Sequence, residues 1–448
     1  MPEQSLTYCI ETYGCQMNKY DSEIVGGILR AAGYQQIEYI EQADVVLVNT
    51  CSVRKSAEQR VLGRLSALRA LKTAGRCQVL GVIGCMAERM RARLLSQARG
   101  VDFVLGPDDY RRLPDLLARL LAGADVEETQ PATCSAETYA DVRPLRQPGV
   151  RAWVAIMRGC NNFCSYCVVP YVRGRERSRS LSSVLHEVAQ LVDEGFVEVT
   201  LLGQNVNSYW DGAHDFADLL AAVAQVPGLC RVRFATSHPK DLTPKLARTI
   251  CEHRVICRHV HLPVQSGSSR ILAAMNRGYT REHYLRLVED LRALMPDVAL
   301  TTDVIVGFPG EDEEDFAATR SLLEEVRFDA AFLFKYSPRE GTAAARLPET
   351  VSEEVKQARL EQLIAVQKGI TLEKNRARVG SVLEVLVEGP SKKSPRQFMG
   401  RTEGNMIVVL RGRGARPGRL ARVLITGAEG HTLFGHVVEE PTFAGVSP

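Results

Sequence analysis

Ala152-Trp-Val-Ala-Ile-Met157-Arg-Gly-Cys160-Asn-Asn-Phe-Cys164-Ser-Tyr-Cys167 is the stretch on which the fold turns. The apolar run Ala152–Met157 reads as a buried strand, and CxxxCxxC follows it directly. Downstream, short apolar runs keep alternating with amphipathic stretches. Strands are predicted at Glu198–Leu202, Val232–Thr236, His259–Leu262, Leu300–Val306 and Ala330–Lys335. Helices are predicted at Val184–Glu194, Phe216–Val226, Pro244–Cys251, Tyr284–Ala293 and Asp315–Val326. Six strand–helix units predict an open, partial TIM-like (βα)6 barrel. A charged helix over Glu353–Arg378 leads out of it. The three cysteines then lie at the C-terminal mouth of the first barrel strand, where active sites of such barrels collect.

Upstream, from Leu6 to Ala122, strands at Thr7–Thr12, Val45–Asn49, Val79–Ile83 and Val101–Leu105 alternate with helices at Ser22–Ala32, Arg54–Leu71, Met86–Gln97 and Tyr110–Leu121. That spacing predicts an open parallel sheet covered on both faces, a flavodoxin-like α/β domain. Gly123–Gly149, with Pro131, Pro144 and Pro148 amid polar residues, reads as a linker. After Val379 the texture changes to SVLEVLVEG, NMIVVLRG, RVLITG and TLFGHVV, the pattern of a small β-barrel. The expected domains are therefore 5–122, 146–378 and 379–443.

A chain of 448 residues with 45% apolar content can fill two or three cores. Its net charge of +3 is too small to identify a partner, so any nucleic-acid footprint must be local. The start, MPEQSLTYCIETYGC, has neither a basic n-region nor an apolar h-region, and no run is long enough to cross a bilayer. A cytoplasmic protein without membrane contact is expected. In that reducing setting the 12 cysteines are not a disulfide framework.

Thiolates are the natural ligands of iron–sulfur clusters, and a cubane takes four. Cys160, Cys164 and Cys167 leave one iron open, and the amino and carboxylate groups of S-adenosylmethionine can occupy it. The cluster's electron can then cleave the adjacent sulfonium bond to give a carbon radical. The competing readings are zinc or chance clustering; zinc sites favour paired CxxC sets, and no second pair lies nearby. Cys15, Cys51 and Cys85 close the runs ETYGC, VLVNTC and GVIGC, each after a predicted strand and before a predicted helix. Strand ends of one parallel sheet share an edge where ligands bind, and helix N-termini favour thiolates. A second open cluster is the functional reading; three buried cysteines are the plain one. Most of Cys9, Cys77, Cys134, Cys230, Cys251 and Cys257 are assigned to core packing.

Ser391 to Arg422 holds nine Lys or Arg and one acid, Glu403, and its candidates for phosphate contact are Lys392, Lys393, Arg396 and Arg401. A solvated charged face is the alternative. Arg173, Arg175, Arg177 and Arg179, just past the triplet, either hold RNA phosphates or pair with acids, with RNA preferred. Gln265–Ser269 either contacts a ligand or caps a helix near Ser268.

The chain resembles the radical-SAM methylthiotransferases along nearly its whole length. The resemblance is carried by TYGCQMNKYDSE, NTCSVR, GCMAER, RGCNNFCSYCVVPYVRGRERSRS, LLGQNVNSYW, SHPKDL, HLPVQSGSSRIL, MNRGYT, DVIVGFPGE and YSPREGTAAA. The C-terminal segment is similar to a TRAM domain, an RNA-binding barrel. The resemblance implies two [4Fe-4S] clusters, a radical-generating one on Cys160, Cys164 and Cys167 and an auxiliary one on Cys15, Cys51 and Cys85. It implies two uses of S-adenosylmethionine, one giving the methyl group and one the 5′-deoxyadenosyl radical. The resemblance sets Gly203, Gln204 and Asn205 against the methionine end of the cofactor; Ser237, His238, Asp303 and Gly307 are candidate contacts by their position at predicted strand ends, with ordinary loop structure as the alternative. The implied reaction is 2-methylthiolation of N(6)-dimethylallyladenosine next to the anticodon of tRNA, by a monomer fed by a cellular electron donor. Members acting on threonylcarbamoyladenosine in tRNA or on an aspartate of a ribosomal protein share the chemistry. A non-enzymatic iron–sulfur RNA-binding or electron-transfer protein is the rival from another class, disfavoured because neither triplet has a fourth cysteine nearby.

Overall fold

Every position of Val45–Thr50 (VVLVNT) and Val79–Gly84 (VLGVIG) is buried, as expected of strands covered on both faces. They are β3 and β4 of a five-stranded parallel sheet with β1 (Thr7–Thr12), β2 (Gln35–Gln36) and β5 (Phe103–Leu105). The computed structural model describes residues 6–52, 55–98, 100–124, 136–391, 394–412 and 414–438. They fold as two compact units. The first comprises 1–147, 157–161 and 168–177; the second comprises 148–156, 162–167 and 178–448.

In the first unit the strand order is β2-β1-β3-β4-β5. This is the flavodoxin-like order, and it reverses direction between β1 and β3, where the ends of the strands open a crevice. The helices are α1 (Gln16–Ala31), α2 (Lys55–Thr73), α3 (Cys85–Gln97), α4 (Leu113–Leu121) and a short α5 (Val169–Val172). Helix α1 begins six residues before the predicted Ser22. Its first turns look polar but are buried at Met17, Asn18, Tyr20 and Asp21, because Asn18 and Asp21 find buried partners. The predicted linker also changes character. Its residues 125–135 lie outside the described residues, but the stretch after them packs on the first unit. Tyr139 is wholly buried; its hydroxyl donates to the Pro107 carbonyl (3.0 Å) and accepts from the Tyr110 N–H (3.1 Å). The Leu145 N–H donates to the Glu23 carbonyl (2.8 Å).

The second unit holds six parallel strands in two sheets. Arg151–Ala155, Glu198–Leu202 and Arg231–Phe234 form one, and His259–His261, Ala299–Val306 and Ala330–Lys335 form the other. An isolated parallel bridge between Val232 and Ile256 links them. Among the described residues no pairing joins the first strand to the sixth, so the barrel is open. Its helices start where short polar residues cap them: Ser180, Asp215, Thr243, Ser268, Thr280, Asp312 and Ser352 each accept a backbone N–H of the first turn. Asp215 with Asp218 and Asp312 with Asp315 complete capping boxes.

Helix Glu353–Arg376 delivers the chain to a closed barrel of strands Val382–Ser391, Ser394–Thr402, Ile407–Arg411, Thr432–Val437 and Leu420–Glu429, in that spatial order. Val385, Val387, Val408, Leu410, Val423 and Ile425 fill it. The small barrel is docked at the N-terminal ends of the parallel strands. Arg233 donates to the carbonyls of Glu403 (2.7 Å) and Thr402 (2.8 Å), Arg231 donates to that of Arg401 (2.6 Å), and the Arg258 N–H donates to the Glu403 carboxylate (2.8 Å).

Candidate functional site

Cys15, Cys51 and Cys85 stand just past β1, β3 and β4, on one edge of the sheet. Side-chain bonds tie those strand ends together. Asn18 donates to Asn49 Oδ1 and to the Thr50 carbonyl (both 2.9 Å), Asn49 donates back to the Asn18 carbonyl (2.8 Å), and Thr50 donates to the Ile83 carbonyl (2.8 Å). Two glycines permit the crowding. At Gly14 (φ +138°) a Cβ would overlap that of Cys51, and at Gly84 (φ +95°) it would lie 2.5 Å from Asn49 Oδ1. Both are backbone conformations that L side chains rarely adopt.

Cys15 is exposed and occupies the N-cap position of α1 without a side-chain cap bond, and its thiol is lowered to about 6 by a hydrogen bond with Cys51, the charge of Arg173 and the nearby N–H groups of Asn18 and Met17. Burial pushes the Cys85 thiol up, with Arg173 opposing. Arg173 Nε donates to Cys85 Sγ at 3.1 Å, and its Nη2 donates to Asp21 Oδ2 at 2.6 Å. The other Asp21 oxygen accepts from Arg158 Nη2, also at 2.6 Å. The Arg158 guanidinium stacks 4.6 Å from the centre of the Tyr139 ring. Asp21, Arg158 and Arg173 are all buried. Sequence reasoning did not find this triad, and it placed Arg173 on the RNA side. The available signal was position: Arg158 and Arg173 bracket the cysteine triplet. Arg177 likewise pairs with Asp108 (2.9 Å) and Arg179 with Glu187, so three of the four arginines meet acids rather than solvent, and only Arg175 is exposed.

Cys160 belongs to the first unit, where its N–H donates to the Gly174 carbonyl (3.1 Å). Cys164 and Cys167 belong to the second, in a turn closed by the Cys167 N–H on the Cys164 carbonyl (2.9 Å). That turn is held by Ser165, which donates to the carbonyls of Met275 and Ala274, and by Asn276, which donates to the Phe163 carbonyl. Arg277, buried and also donating to the Pro263 carbonyl, places Nη1 3.3 Å from Cys164 Sγ. It lies in MNRGYT and was not singled out from sequence. Among the described residues no three His, Cys, Asp or Glu gather around a point that could hold a single metal ion. A cubane differs in that each thiolate takes a separate iron.

Within the second unit, Asn205 and the pair Ser237–His238 follow neighbouring strands, and each carries a buried polar atom with no partner: Asn205 Oδ1, Ser237 Oγ and His238 Nε2. Buried polar atoms without partners are costly, so this trio fits a polar ligand such as S-adenosylmethionine. Asn205 is aimed by its bond to Asp241 (2.7 Å), and His238 by reciprocal bonds with Asn207 (2.8 and 2.9 Å). Burial, with Arg277 and Lys240 nearby, holds His238 far below the ordinary histidine value, so it is neutral. Gly203 and Gln204 lie partly buried in the same loop as Asn205. Asp303, partly exposed, stands 3.5 Å from His261. The Gly307 N–H is taken by Glu311 (2.8 Å). Ser268 caps the helix Ser269–Ala274 and Ser266 meets Thr319, so Gln265–Ser269 includes the predicted cap.

In the small barrel Arg396 is exposed, whereas Arg401 is partly buried against Glu388 (3.0 Å). Lys392 and Lys393 lie outside the described residues. Phe398 packs against the barrel core.

Three family models match the chain: the Radical SAM superfamily over residues 154–323, the Uncharacterized protein family UPF0004 over 7–106, and the TRAM domain over 376–438. A protein of Porphyromonas gingivalis named tRNA-2-methylthio-N(6)-dimethylallyladenosine synthase is 49% identical over 97% of this chain and 95% of its own. A protein of the same name from Chloroherpeton thalassium is 49% identical over 96% and 95%. Among solved structures, the radical S-adenosylmethionine methyltransferase TsrM of Kitasatospora setae has a TM-score of 0.58 at 15% identity, covering 85% of this chain and 78% of that one. At that identity it is a likeness of fold.

Proposed function

The chain belongs to the tRNA-2-methylthio-N(6)-dimethylallyladenosine synthases, and from that membership we infer that it is a radical SAM methylthiotransferase acting on N(6)-dimethylallyladenosine in tRNA. The observation that carries this is near-half identity over almost the full length of both chains, which covers sheet domain, barrel and tail together. The modified position is carbon 2 of the adenine next to the anticodon. Its cofactors are two [4Fe-4S] clusters and S-adenosylmethionine.

In this reading Cys160, Cys164 and Cys167 hold the radical-generating cluster, and Cys15, Cys51 and Cys85 hold the auxiliary one. The donor chemistry supports the assignment: each triplet is all thiol, each leaves one iron for a non-protein ligand, and each has one buried arginine N–H on a cysteine sulfur. When bound, these groups supply the electron, the 5′-deoxyadenosyl radical, the methyl group and the sulfur, chemistry that side-chain acids and bases cannot provide at an unactivated aromatic C–H bond. The chain's own residues bind and orient. Asn205 Oδ1 offers an acceptor, Ser237 a hydroxyl and neutral His238, whose Nδ1 accepts from the Lys240 N–H, an Nε2–H donor to S-adenosylmethionine, alongside Gly203, Gln204, Asp303 and Gly307. Arg396, Arg401, Lys392 and Lys393 contribute positive charge for the tRNA backbone. We assign the protein to the cytoplasm as a monomer reduced by a cellular electron donor; among the described residues no helix is long and apolar enough to cross a membrane.

The test is nucleoside analysis of tRNA from cells lacking the protein. The 2-methylthio group should disappear while the dimethylallyl group is retained. Retention of the methylthio group on that nucleoside would refute the assignment.

A further inference from the structure

Within the first unit the auxiliary triplet adjoins a network of guanidinium–carboxylate pairs, with Asp21, Arg158 and Arg173 all buried. Arg158, Arg173 and Arg177 face two carboxylates, Asp21 and Asp108. An oxidised cubane on three thiolates carries one net negative charge, and the Arg173 guanidinium stands against one of those thiols.

Arg173 is the member that reaches the thiols. Its Nη2 is fixed by Asp21 and its Nε by Cys85, while Nη1 is buried with no hydrogen-bond partner. A guanidinium is planar, so two fixed edges determine where the third N–H group points. Asp21 is itself held from the far side by Arg158, so the carboxylate cannot follow a moving Arg173 guanidinium without breaking a second buried ion pair.

We propose that Arg173 is a positioning residue of the auxiliary centre: clamped by Asp21, it hydrogen-bonds the Cys85 ligand sulfur and raises the reduction potential of the cluster held there. The proposal rests on the reading that Cys15, Cys51 and Cys85 carry a cluster. Cluster potentials respond to net charge and to hydrogen bonds on the sulfurs, and a cationic N–H donor acts through both in the same direction. Lysine is no substitute, because one ammonium cannot span Asp21 and Cys85 with the geometry of the fork.

The experiment uses the full chain with Cys160, Cys164 and Cys167 all changed to Ala, reconstituted anaerobically, so that every cluster signal belongs to the other triplet. Iron is counted and the midpoint is read by EPR-monitored redox titration. The parent should hold about four irons per chain. In Arg173→Gln the ratio of reduced to oxidised cluster at the parent's midpoint should fall at least about tenfold, which for a one-electron couple is about 59 mV. Arg173→Lys should give a smaller shift in the same direction. Arg64→Gln, which removes a guanidinium paired with Glu11 in the same unit, should leave the midpoint unchanged. A parent without iron would sink the cluster reading itself. Four irons with an unmoved midpoint in Arg173→Gln would overturn the Arg173 assignment alone. Should Arg173→Gln fail to load, Arg173→Lys decides, and a parental midpoint there overturns the proposal.

Discussion

Replacing Asp21 by Asn removes one charge and almost no volume, so it isolates the electrostatics of the buried triad. In the native chain one carboxylate accepts from two guanidiniums at 2.6 Å each. Burial works against its ionisation, but Arg173 and Arg158 outweigh that and hold the carboxyl below its usual range. In Asp21→Asn both arginines stay buried with their counter-charge gone. Breaking a buried pair from one side costs about 3–5 kcal/mol, a large part of the roughly 5–15 kcal/mol that stabilises a typical domain. For a unit of this size that is a fall in melting temperature on the order of 10 °C. Both tryptophans, Trp153 and Trp210, lie in the second unit, so tryptophan fluorescence reports on that unit while far-UV circular dichroism reports on both. The dichroism transition of Asp21→Asn should move down and separate from a fluorescence transition that stays in place. Adding Arg158→Met removes one stranded charge, and the double variant should be less destabilised than the sum of the singles by roughly 0.5–3 kcal/mol. The pH dependence has a definite sign. A carboxyl depressed in the folded state contributes stability that is complete above its unfolded value of about 4 and is lost as pH falls through the folded one. The native chain should therefore lose this contribution only in acid, and Asp21→Asn should lack that part of the acid limb. An unshifted dichroism transition, or strictly additive singles, would refute the triad.

Cys160→Ala should abolish release of 5′-deoxyadenosine from S-adenosylmethionine, measured by chromatography of the reduced, reconstituted protein. Cys51→Ala should keep some of that release, lose all methylthio product, and bind about four irons where the native chain binds about eight; methylthio product from it would remove the second triplet from the mechanism. Gly84→Ala adds a Cβ 2.5 Å from Asn49 Oδ1 at φ +95° and should cost roughly 1–3 kcal/mol in denaturant titration, with reduced iron uptake. Removing the chain beyond Gly380 should weaken tRNA binding and flatten its dependence on salt, read by filter binding at several ionic strengths.

The layout was legible because its signals are local. Runs such as VVLVNT and VLGVIG have the length and β-branched content of doubly covered strands, and both are buried at every position. Cys15 and Cys85 are each preceded by a glycine, and both glycines have the positive φ and the close approach that exclude a side chain. The start of α1 was missed because Asn18 and Asp21 look like solvent-facing residues until their partners are known. Those partners are far away in the chain: Asp21 is 137 residues from Arg158 and 152 from Arg173. The same distance misled the reading of RGRERSR as a phosphate-binding run. A basic run is normally a solvated or anion-binding face, yet Asp21 and Glu187 on two helices and Asp108 in a turn each take one of its arginines. What the run does is decided by the acids that the topology folds against it. Here that makes Arg173 and Arg158 a bracket around the cysteine triplet, fastened to the helix that starts after Cys15.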